Sequence, residues 1–161
     1  MQACSQTTFD LSAATFKEQD TVLLKEAQYH KGLMYDRKDL VSYGINNNTR
    51  FSFGYYIPEH IELLGCNDLL TGYAFRICSY NDQEKVKEYL LQKFPGLKRI
   101  DSSKWGNTYQ YRNSAIVIWL QTIPENNFSN KRNAYLDVKS RSLYNEIETL
   151  ERKYRAKRSK K

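Results

Sequence analysis

No run of apolar residues in this chain approaches the roughly 18 that a helix needs to cross a bilayer. Residues 1–20 hold no apolar block of about seven or more, so they contain no secretory h-region. Histidine is scarce, His30 and His60 being the only two. Neither lies in a nucleophile, metal or acid–base motif, and the chain has no GxSxG, P-loop, GxGxxG, HExxH or CxxC. No cofactor, metal site or small-molecule ligand is therefore inferred. Three cysteines are too few for a disulfide scaffold, and at 161 residues the chain buries enough surface to fold without one. Proline is rare as well: Pro58, Pro95 and Pro124 each close an expected element.

What is present points to one packed domain. The hydrophobic share is 40% and the aromatic share 14%, which excludes a disordered chain. Thirteen residues are Tyr, a side chain suited to half-wet sheet margins and interfaces. The net charge of +7 suggests a polyanionic partner, but six of the cations sit in residues 153–161, which hold no acid. The remainder is close to neutral. The chain divides into a polar leader or tether (1–19), a single α+β domain (20–152) and a basic tail continuing the last helix (153–161).

Periodicity supplies the elements. A helix is expected from Asp20 or Thr21 to about Gly32, and a loop over 43–50. Phe51, Phe53, Tyr55 and Ile57 alternate as one face of a strand that Pro58 ends; 59–72 is ambiguous, and 73–80 alternates again. A helix capped by Asn81 or Asp82 carries the stripe Val86, Tyr89, Leu90 and Phe94, and a short strand is expected over 97–100. Trp105 to Tyr111 alternate, Asn113-Ser114 makes a turn, and Ile116 to Leu120 are apolar on both faces, as in a central strand. Residues 134–139 form a further strand. The last helix starts at Ser140 or Ser142, with Leu143, Ile147, Leu150 and Tyr154 on one stripe. The expected fold is α+β: a mainly antiparallel sheet of about four to six strands with two or three packed helices.

Three resemblances bear on function. Ala3-Cys4-Ser5 resembles the end of a bacterial lipobox: a small residue, the lipidated cysteine, then a polar linker. It covers three residues. It implies lipidation at Cys4, a tether over Ser5 to Thr8 and attachment to the cell envelope, and it leaves Cys66 and Cys78 as an even pair for one disulfide. Without that lipidation the chain is expected in the cytoplasm with free thiols. Segment 82–156, read as helix, strand, strand, strand, helix, is similar in element order to the double-stranded-RNA-binding domain. Only Lys139 and Arg141 stand where that family has a basic cluster. Phe53-Gly54-Tyr55 is similar to part of the aromatic strand of RNA-recognition motifs, though the flanking elements differ in order.

The resulting expectation is a non-enzymatic binding module, a bacterial envelope protein held by Cys4, inhibitor- or immunity-like in size and texture, with a protein partner. Its candidate contacts are Tyr43, Tyr55, Tyr56, Trp105 and Tyr111, large amphipathic rings of the kind that anchor interfaces. One alternative is nucleic-acid binding through Lys153, Arg155, Lys157, Arg158, Lys160 and Lys161. The other is a small enzyme centred on His60, flanked by Glu59 and Glu62.

Overall fold

Alternation along one segment sets the architecture. Ala134, Leu136 and Val138 are buried, while Tyr135, Asp137 and Lys139 between them stay half-buried. The sheet therefore presses one face into the core and leaves much of the other accessible. The computed structural model describes residues 8–159, so Cys4, Lys160 and Lys161 lie outside the described residues.

In chain order the elements are β1 (Phe9–Asp10), a 3₁₀ turn (Leu11–Ala13), α1 (Asp20–Leu23), β2 (His30–Met34), β3 (Arg37–Ile45), β4 (Phe51–Ser52), β5 (Ile61–Cys66) and β6 (Leu69–Ile77). Then come α2 (Tyr80–Lys93), β7 (Lys98–Ser103), β8 (Gly106–Arg112), β9 (Ile116–Thr122), α3 (Glu125–Phe128), β10 (Ala134–Ser140) and α4 (Arg141–Arg158). One eight-stranded sheet runs β2-β3-β5-β6-β10-β9-β8-β7, antiparallel throughout, and β1 pairs with β4 in a small parallel ladder. The fold is α+β with an antiparallel sheet, as expected, but the sheet exceeds the expected four to six strands. The additional strands come from segments read as helix, loop and ambiguous.

The helix expected over 20–32 stops after one turn. Glu26 takes a φ of 66°, and His30–Met34 pairs with β3 as an edge strand instead. Likewise Tyr43 to Ile45, expected in a loop, complete β3. Beyond them Asn48 fixes the turn, its amide donating to the Phe51 and Pro58 carbonyls (2.7 and 2.8 Å). The expected strand over 51–57 breaks at Gly54, whose φ is 59°. Phe51 and Phe53 enter the core, while Tyr55 and Ile57 stand exposed. Residues 9–16, within the span read as a leader, pack on the same core: Leu11 is 1% exposed, and Asp10 accepts from the Ser12 and Gly54 N–H groups.

The helices take opposite faces. Val86 and Leu90 of α2 join the main core with Phe53, Phe75, Leu120 and Leu136. Ser79, ahead of the expected Asn81 or Asp82, caps α2 through the Asp82 N–H (3.1 Å). Leu143 of α4 packs with Leu40 and Leu64 on the other face, with Ile147 and Leu150 against that cluster, and Ser140 caps the helix. The span 82–156 thus holds four strands with helices on opposite faces, unlike the three-strand order it suggested.

Candidate binding groove

Small residues open a hollow on the face that α4 crosses. The register aligns His30, Gly44, Glu62, Ala74, Asp137 and Trp119 across six neighbouring strands. One pleat along, Arg76, Tyr135 and Gln121 form a parallel row. Gly32, Ser42, Gly44 and Ala74 form a low floor, so the bulkier side chains around them enclose a cavity of about 470 Å³. A methyl added at Gly44 would meet only the His30 carbonyl oxygen, at 3.9 Å, which measures how open that floor is.

The rim is polar. His60 Nδ1 donates to Asn46 Oδ1 (2.9 Å), which leaves Nε2 available, with Glu59 3.8 Å away. Arg76, Glu62 and His30 have no side-chain hydrogen bond or ion pair among the described residues. Tyr135 stands at the boundary. Burial, with the charges of Asp137 and Glu62 opposed by Arg76, pushes its phenol up to about 12, so it enters the groove as a neutral donor.

A second hollow of about 320 Å³ adjoins the first across Tyr135, between α4 and strands β9 and β10. Its walls are Trp119, Tyr144 and Ile147, and its charged groups include Asp137, Glu148 and Glu151. Asp137 is paired with Lys139. The Tyr144 hydroxyl donates to Glu148 (3.3 Å), and Arg112 lies 4.9 Å from the Tyr144 ring centroid.

The residues singled out from sequence are dispersed. Tyr43 is in the core, its hydroxyl donating to the buried Asp20 (2.7 Å), so it offers no contact surface. Tyr55 is 64% exposed and donates to the Lys85 carbonyl; Tyr56 packs against Phe75, and Tyr111 against Phe94. Trp105 is exposed at the β7–β8 turn with Lys104 and Arg132 over its ring, 4.9 and 5.1 Å from the centroid. His60 and Glu62 do converge in the groove, with Glu59 at its edge.

The Cys66–Cys78 disulfide is corrected. Both thiols are free. Cys66 pairs with Leu69 at one end of β6, and Cys78 follows its other end, about 30 Å away at ~3.3 Å per residue. A disulfide needs Cα atoms within about 7 Å. Lys153, Arg155, Lys157 and Arg158 lie exposed on the last turns of α4.

Sequence reasoning missed His30, Arg76, Tyr135 and Trp119. His30 was hidden by the helix reading. The others carried a signal, being the outward residues of strands whose inward residues were recognised. Among the described residues, no three or more His, Cys, Asp or Glu could hold a metal ion, and no helix is long and apolar enough to cross a membrane. In comparisons with family models, curated proteins and solved structures, the chain matches none.

Proposed function

We propose that this chain is a non-enzymatic binding module whose open sheet face receives a segment of a protein partner, in the manner of an inhibitor or immunity protein. The observation that carries this reading is the first hollow: Arg76, Glu62 and His30 meet there without partners among the described residues, over a floor of small side chains. Unpaired polar groups converging on a concavity are what an incoming ligand satisfies. In this reading Cys4 carries the lipid that holds the domain at the cell envelope. Intact mass of the protein from its own source tests the tether, because added acyl mass on a chain beginning at Cys4 supports it and an unmodified soluble chain removes it.

The groove is tested by Gly44→Val, which fills the floor where space exists and suits a strand. Partner capture is expected to fall by about tenfold or more with folding unchanged, since an occupied floor excludes the ligand backbone. Capture equal to that of the parent protein would remove the groove from the reading.

Catalysis is a second reading, carried by the presence of both histidines in one hollow. Recovery of the bound partner segment with its mass unaltered supports binding alone; a changed mass supports an enzyme. Polyanion binding through the tail rests on the exposed cations that end α4. It requires retention on heparin that falls with salt and disappears on deletion of 153–161.

A further inference from the structure

The two hollows differ in charge, and the difference describes a ligand. In the first, the cation Arg76 stands with the carboxylate of Glu62, the His30 and His60 rings beside them, while the Lys31 ammonium lies over the Tyr43 ring on the opposite face. In the second, the carboxylates of Glu148 and Glu151 stand by the Trp119 and Tyr144 rings, while Lys139 is held by Asp137. Glu148 and Glu151 do have cationic neighbours, Arg152 at 3.2 Å and Arg155 at 3.8 Å. Those are exposed pairs one helical turn apart, of the kind that contributes little and yields readily to a better-placed cation. An aromatic wall beside carboxylates is a favourable setting for an ammonium or guanidinium group.

Geometry gives the spacing. The first hollow centres on β5 and the second on β10 and β9, two to three strands further along the sheet. At ~4.8 Å between strands the centres are about 10–14 Å apart. An extended peptide advances ~3.3 Å per residue and returns its side chains to the same side at every second position. Residues four apart are therefore ~13 Å apart and point the same way. We propose that the groove binds an extended peptide segment lying across the strands, with an acidic side chain on Arg76 and a basic side chain four positions away in the Glu148–Trp119 cleft. The inference rests on the open face being the binding surface and adds the chemistry of what it binds. Between the two ends, the Tyr135 hydroxyl on β10 offers a donor to the peptide backbone.

The probes are acetyl-Asp-Gly-Thr-Gly-Lys-amide, its reversed sequence, and the two uniform peptides with Asp or Lys at both ends. Each is titrated to millimolar concentration against the isotopically labelled full chain at low salt, following amide signals of the sheet. At least one bipolar peptide is expected to bind about tenfold tighter than either uniform peptide, the loss of one charge-assisted contact being of that order. Arg76→Ala is expected to abolish its advantage over the Lys/Lys peptide, and Glu148→Gln to reduce its advantage over the Asp/Asp peptide. If all four peptides shift the Gly44 and Ala74 signals with equal affinity, the charge pattern is overturned while the groove stands as a peptide site. If none shifts them, the groove itself fails as a peptide site and the charge pattern falls with it.

Discussion

Gly54 shows how much of this fold turns on single positions. Its φ of 59° lies where only glycine rests without cost, and an added Cβ would come within 2.9 Å of the Tyr89 ring. Gly54→Ala is expected to lower unfolding free energy by about 1–2 kcal/mol in urea titrations. Asp10 acts on the same turn from the other side. Partial burial alone would raise its carboxyl, but the Gly54 and Ser12 donors and the charge of Lys93 hold it below the ordinary carboxylate range. A depressed carboxyl contributes stability that is complete at neutral pH and is lost as pH falls through its folded value. Asp10→Asn is therefore expected to cost about 1 kcal/mol at neutral pH, as a weakened cap does. Its stability should then fall less than that of the parent protein as pH drops below about 4. Melting curves across that range check the sign.

Among the elements, α4 is divided in its duties. Its first half is fastened by Leu143 against Leu40 and Leu64, and by Arg37 pairing with Glu146. From Glu151 onward every described residue is exposed. Leu143→Ala is expected to cost about 2–4 kcal/mol, since a buried leucine loses its contacts and leaves a cavity. Deletion of 153–161 is expected to leave the melting temperature unchanged. α2 and α4 were legible in the sequence because each places its apolar residues on one stripe; the cap of α4 was read at its serine, whereas that of α2 was placed at Asn81 or Asp82 and lies at Ser79. β9 and β10 were legible because apolar runs and strict alternation of that length admit no helix. β2 was not: His30, Lys31 and Gly32 follow a real helical turn, and nothing local to them announces the hydrogen bonds that β3 supplies. The His30 and Gly32 side of the groove was lost with that strand. His60 and Glu62 stood out as a cluster of chemistry-bearing types, but the cavity they border is made by glycines and alanine from neighbouring strands, which local sequence does not announce.

At the scale of the whole molecule, the chain is a four-strand meander and helix followed by another four-strand meander and helix. The thiols of Cys66 and Cys78 sit at opposite ends of the first. Burial pushes both upward, with Glu146 and Asp39 adding to the effect on Cys66 and Glu59 to that on Cys78. Both are expected to be recovered separately alkylated, slowly at neutral pH, without prior reduction; a linked Cys66–Cys78 peptide would contradict this arrangement. The meanders meet only where β6 lies beside β10, so residues 72–77 must wait for 134–139. Each meander closes through short hairpins at little entropic cost, whereas the seam between them closes a loop of about 60 residues. During synthesis the first meander can zip up while its β6 edge, with Tyr73, Phe75 and Ile77 on one side, still faces solvent. That nascent edge is an apolar template for pairing with a neighbour, and it is protected only when β10 has left the ribosome.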